Sequence, residues 1–233
     1  SQLFSMASQR TQSHGAQINR DKAVVRIARG AVRIADHEWP VALNPVTRLL
    51  LDRLADLTGI TADSPDQVSR IIDETGYAKA WIESSISNTF NITSIDAGST
   101  VNIVPGKAQA LVDGRALPGH EDEVFHTLCE LAGDHVEVRK IHRSTGYLSS
   151  PEGELFTSIE RVLGELDPDA EVLPFLSSGG TDSKAILSLN PRIQVCGFIP
   201  LRVPEDFDYI SNFHGIDERV PIESLRFGEK VLE

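Results

Sequence analysis

Cysteine is nearly absent from this chain of 233 residues; only Cys129 and Cys196 occur. Two thiols, one in an apolar helical pattern and one in an apolar strand pattern, exclude a disulfide framework and a thiolate metal cage. Both read as buried thiols of a cytoplasmic protein. No stretch of about 18 uninterrupted apolar residues exists, so no membrane-spanning helix and no membrane partner are expected. Basic charge is scarce as well. Lys and Arg number 22 against 34 Asp and Glu, a net charge of -12, and a nucleic-acid groove requires the opposite balance. Methionine occurs once, at Met6, and residues 1–12 lack the basic and apolar regions of a signal peptide. The expectation is a soluble fragment of a larger polypeptide. What remains is 40% hydrophobic and 24% charged, ordinary for a globular protein, and long enough for two modest domains.

The hydrophobic pattern alternates over Leu3 to Gln12, predicting a strand. Helical spacing follows at Val24, Ile27, Ala28, Ala31, Ile34 and Ala35, ending before Pro40. Asn44-Pro45 and Ser64-Pro65-Asp66-Gln67 are helix starts, closed by Gly59 and Gly76. These two helices read as an insertion. Strands are predicted at Asn88 to Ala97 and Lys107 to Ala116, a helix over Glu121 to Leu131, and a strand over His135 to Ile141. With the insertion set aside, the order is that of a split βαβ fold, an antiparallel four-stranded sheet with helices on one face. Beyond Ser144-Thr145-Gly146 helices alternate with two apolar segments, Ala170 to Leu176 and Ile193 to Ile199. Those segments read as strands buried on both faces, as in part of an α/β parallel sheet. The fold class is therefore α/β, with domains at 1–143 and 144–233.

Few residues in these patterns carry chemistry. Ser177-Ser178-Gly179-Gly180-Thr181-Asp182-Ser183 lies between an apolar segment and a helix, where amides and hydroxyls converge on an anion. The bland alternative is a helix cap by Thr181 or Asp182. Arg115, after Asp113-Gly114, is either an edge-strand ion pair or a carboxylate fork. His14 sits between the first strand and first helix, and Asn102 precedes the turn at Pro105-Gly106. His214, in His-Gly-Ile-Asp-Glu-Arg, is either an ordinary exposed loop histidine or a zinc-ligating imidazole oriented by its acidic neighbours. A zinc site needs about three or four protein ligands, and the sequence offers His214 no others. His120-Glu121-Asp122 opens an amphipathic helix, where acids complement the dipole. Arg26, Arg29 and Arg33 recur on one helix side and read as a solvated face.

Taken in order, His14 in Ser-His-Gly-Ala, Asn102 in Val-Asn-Ile-Val-Pro-Gly, Arg115 in Val-Asp-Gly-Arg, the Ser-Gly-Gly-Thr-Asp loop and His214 resemble metallopeptidase family twenty. This family comprises dizinc aminoacylases, carboxypeptidases, desuccinylases and dipeptidases. The resemblance implies a lid, or dimerisation, domain over 1–143 and the C-terminal part of a zinc-dependent catalytic domain over 144–233. It implies that His214 ligates zinc and that Ser178, Gly179, Gly180 and Thr181 line the substrate. It further implies that Asn102 and Arg115 hold a substrate carboxylate, and that His14 polarises the scissile carbonyl in a partner subunit of a homodimer. The substrate would be a small peptide or an N-acyl amino acid. The family's Glu-Glu pair of base and ligand is missing from this sequence, so this chain alone is expected to be inactive and not to hold two zincs. The competing reading is a non-catalytic dimerisation or ligand-binding module without the metal site. A Ser-His-Asp hydrolase of Ser178, His214 and Asp217 ranks last, for want of a nucleophile elbow.

Overall fold

The computed structural model describes residues 2–143, 146–212 and 214–233. The predicted boundary after residue 143 falls on Ser144 and Thr145, outside the described residues. The chain forms two compact units. One comprises residues 1–42, 84–147 and 178–180, the other residues 43–83, 148–177 and 181–233.

The first unit is built on the predicted sheet. Strands β1 (Gln2–Gln9), β3 (Thr89–Asp96), β5 (Lys107–Arg115) and β6 (Glu137–Arg143) pair antiparallel in the order β3-β5-β1-β6. Helices α1 (Ala23–Ala35) and α5 (Glu121–Ala132) pack on this sheet. Register explains the core. Phe4 lies opposite Val112 and Met6 opposite Ala110, so every second residue of both strands points to the helices. These residues, with Ile27, Ile34, Val124 and Leu128, are essentially inaccessible to solvent. Gly114 is required by this packing. A Cβ there would lie 2.2 Å from Phe90 and 2.8 Å from Phe4. A separate two-residue ribbon pairs β2 (Ser13–His14) with β4 (Ile103–Val104).

The second unit is helical. It contains α2 (Pro45–Thr58) and α3 (Pro65–Asp73), then α6 (Glu154–Leu166), α7 (Ser183–Leu189), α8 (Tyr209–Asn212) and α9 (Ile222–Leu232). The start of α2 carries a full capping box: Asn44 accepts from the amides of Val46 and Thr47, and Thr47 accepts from the amide of Asn44. Gly59 ends it at φ 69, as a left-handed C-terminal glycine does. A third helix, α4 (Lys79–Ile86), adds to the two predicted between α1 and β3 and spans the division between the units. Its apolar positions are too few to have produced a helical pattern. Arg53 of α2 donates to the carbonyl of Val172 and, at 2.9 Å, to Glu160 of α6.

The two strands expected in the second unit are corrected: residues 170–176 and 193–199 form none. A strand needs a neighbour to satisfy its amides and carbonyls, and among the described residues none lies beside these segments. Pro174 also lacks a ladder donor. The 193–199 segment is instead tied by side chains: Gln194 accepts from the amide of Leu155 at 3.2 Å and donates to the carbonyl of Glu152 at 3.0 Å. Without that strand Cys196 is exposed; Cys129, on α5, is only half-buried, so neither thiol is buried as expected. Among the described residues no helix is long and apolar enough to cross a membrane.

Candidate functional site

Arg115 closes β5, and the alternation that sends Gly114 into the core sends Asp113 and Arg115 to the opposite sheet face. Two guanidinium nitrogens donate to Asp113 Oδ2, Nη2 at 2.8 Å and Nε at 3.3 Å. Nη1 donates to the carbonyl of Ser178 at 3.4 Å. The Ser178 hydroxyl shares a hydrogen bond with the Ser84 hydroxyl at 3.3 Å. The pair is about two-thirds shielded, with Arg115 32% and Asp113 30% exposed. An arginine so held presents a fixed fork, which suits planar recognition of a carboxylate. The sequence reading is corrected in one respect. The ion pair is not on an edge strand, because β5 lies between β3 and β1.

The backbone brings the segments of His14 and Asn102 side by side. His14 faces Ile103 across the β2–β4 ribbon, and the next amide, of Gly15, donates to the Asn102 carbonyl at 2.8 Å. A Cβ at residue 15 would crowd that carbonyl at 3.0 Å. His14 Nδ1 accepts from the Ala16 amide at 3.2 Å. A neutral imidazole that accepts at Nδ1 carries its proton on Nε2. The exposed ring therefore offers an N–H donor, the group an oxyanion requires.

The remaining predicted residues lie in loops. The Thr181 and Asp182 carbonyls accept from the first amides of α7, but no side chain caps that helix, so the cap alternative is not realised. A Cβ on Gly180 would meet nothing within 4 Å; packing does not demand glycine there. His214 is exposed and adopts φ 59, a left-handed conformation that only one other non-glycine described residue, His135, shares. Such backbone costs about 1 kcal/mol or more. The Asp217 carboxylate pairs with Arg219, whose guanidinium sits 5.7 Å over the Phe207 ring. No group of three or more His, Cys, Asp or Glu able to hold a metal occurs among the described residues. The residues present therefore do not fit a complete two-zinc centre. His120 pairs with Glu123 at 3.0 Å at the start of α5, in keeping with its reading as helix-end electrostatics.

Ser84 and the restraining role of Asp113 escaped the sequence. Asp113 stands two residues from Arg115, the same-face spacing of a strand, and that signal was available. Nothing in the pattern of α4 marks Ser84.

Residues 8–137 match the family model described as the peptidase dimerisation domain. The chain is 28% identical over 168 residues to a succinyl-diaminopimelate desuccinylase of a Caulobacter species, covering 68% of this chain and 38% of that protein. It is 26% identical over 163 residues to a Dictyostelium discoideum protein named probable carboxypeptidase S-like 2, covering 68% and 30%. Among solved structures, an M20 family metallo-carboxypeptidase from Sulfolobus solfataricus superposes with a TM-score of 0.63 at 16% identity, over 99% of this chain and 56% of that one. A dipeptidase from Saccharomyces cerevisiae gives 0.59 at 14% identity, over 99% and 52%. The chain thus spans about a third of the length of these curated relatives and about half that of the solved structures. An antiparallel sheet under two helices, the family model over 8–137 and the likeness in fold agree: the chain belongs to the M20 metallopeptidase family and carries its peptidase dimerisation domain.

Proposed function

We propose that this chain is the lid and the C-terminal catalytic segment, 1–143 and 144–233, of a cytoplasmic, homodimeric, zinc-dependent hydrolase. It cleaves amide or peptide bonds of small carboxylate-bearing substrates, peptides or N-acyl amino acids. The observation that carries the reading is the fork of Arg115, fixed by Asp113 and in contact with Ser178. In this reading Arg115 and Asn102 hold the substrate carboxylate, and Ser178, Gly179, Gly180 and Thr181 line the rest of the substrate. The Nε2–H of His14 meets the carbonyl oxygen as charge develops there. His214 is one zinc ligand, and the other ligands and the general base come from residues outside this chain, which by itself is inactive.

One observation favours a second reading. The lack of a metal-holding cluster among the described residues is also what a non-catalytic dimerisation or ligand-binding module would show. Steady-state kinetics on the complete polypeptide separates the two. Arg115→Ala is expected to raise KM for an N-acyl amino acid at least tenfold. His14→Ala should depress kcat by about a hundredfold, within the usual range for a lost oxyanion donor, with zinc content unchanged. Unchanged KM on Arg115→Ala would overturn the carboxylate assignment, and loss of zinc on His14→Ala would move that residue into the ligand set. An inactive complete polypeptide would favour the module.

A further inference from the structure

Residues 20–33 hold five basic side chains, Arg20, Lys22, Arg26, Arg29 and Arg33, and a single acid, Asp21, in a chain of net charge -12. Four of them follow spacings of four, three and four residues, which lines like charges along one face of α1 and works against the helix. The start of α1 adds to the mismatch. Its N-cap position is Lys22, with no side-chain cap and no acid in the first turn, whereas free amides at a helix N-terminus favour negative charge.

These side chains line an open cleft of 510 Å³ that also takes in Ala132, Gly133 and Asp134 at the end of α5. Some of the charge is engaged. Arg33 donates to the carbonyls of Leu131 at 2.6 Å and Ala132 at 2.8 Å, closing the end of α5. Asp21 lies between Arg26 at 2.6 Å and Arg10 at 3.0 Å. The slight burial of its carboxyl raises its pKa, but the hydrogen bond from Arg26 and the charges of Arg10 and Arg26 outweigh this and hold it below the usual range. Even so, Arg26 Nη1 is a buried donor without an acceptor. Among the described residues Arg20, Lys22 and Arg29 have no ion-pair partner. Five cations thus line the cleft with two carboxylates, Asp21 and Asp134.

We propose that this cleft, between the start of α1 and the end of α5, binds a small phosphate-bearing anion. Lys22, Arg26 and Arg29, which line the cleft together, supply the charged donors. A phosphoryl group brings up to two negative charges and three acceptor oxygens, which matches the excess of cations over carboxylates. A longer polyanion would run onto the acidic remainder of the chain.

The test is a titration of inorganic phosphate and, separately, pyrophosphate into the 233-residue chain at constant ionic strength. Calorimetry and the amide shifts of residues 22–29 report binding. Saturable one-to-one binding is expected, tighter for pyrophosphate and weakened at least tenfold by Arg29→Gln and by Lys22→Gln. Both positions are exposed, and an unchanged thermal midpoint confirms folding. Arg161→Gln, on the exposed face of α6, should have no effect. Absence of saturation, equal displacement by matched chloride, or equal weakening by Arg161→Gln would overturn the proposal. So would binding to phosphatidylglycerol vesicles without binding to free pyrophosphate, which would identify a membrane surface instead.

Discussion

Residues 107–115 and residues 170–176 are both apolar-rich segments that read as strands, yet only the first became one. Lys107–Arg115 has β1 on one side and β3 on the other, so each amide and carbonyl finds a partner and each alternate side chain finds the core. Residues 170–176 have no such neighbours among the described residues, and they are held by Arg53 on the Val172 carbonyl and by Phe175 stacked on Trp81, ring centroids 6.0 Å apart. A strand is therefore a property of a pair, whereas a helix carries its own hydrogen bonds. That difference explains why the helices of the second unit form while its expected sheet does not.

Overpacking should break the contrast from the side of the sheet. Gly114→Val puts a branched side chain where Phe90 and Phe4 already sit. It should destabilise the first unit by about 3 kcal/mol, read as a lower urea midpoint for Trp39, which packs on that core. An unchanged midpoint would mean that the aromatic packing is looser than described. A smaller effect, confined to the helical unit, is expected from Asn44→Ala. Losing the capping box should remove about 1 kcal/mol, without altering amide protection in β1 and β5; a shared loss would show that the two units unfold as one. The smallest effect concerns pH. Because the Asp21 carboxyl is held below its ordinary value, its contribution is present above the unfolded pKa of about 3.9 and fades as pH falls through the lower folded value. Asp21→Asn should flatten the acid limb of the stability curve slightly, and an unaltered limb would contradict the Arg10 and Arg26 contacts.

Much of the first unit was legible because its signals are local and periodic, the alternation of β1 and β5 and the spacing in α1, and in the second unit the caps at Asn44 and Ser64 were legible for the same reason. The third helix before β3 was not legible, since Trp81, Ile82 and Ile86 are too few to set a period. The expected strands of the second unit failed for the reason given above, that alternation and apolarity do not supply a neighbour. At the candidate site, Arg115 and Ser178 stood out as residue types, and the structure joins them through a carbonyl. Ser84, 94 positions before Ser178, left no sequence mark. His14 and Asn102 are brought together by a ribbon two residues long, shorter than any alternation can signal.

In the proposed reading this chain recognises a carboxylate but does not complete the zinc chemistry. The most direct test is to titrate an N-acyl amino acid into the zinc-equilibrated 233-residue chain while assaying metal content and amide hydrolysis in the same samples. Saturable binding that Arg115→Ala weakens at least tenfold, with fewer than two zincs retained and no hydrolysis, is expected. Two tightly held zincs and steady turnover would contradict that reading.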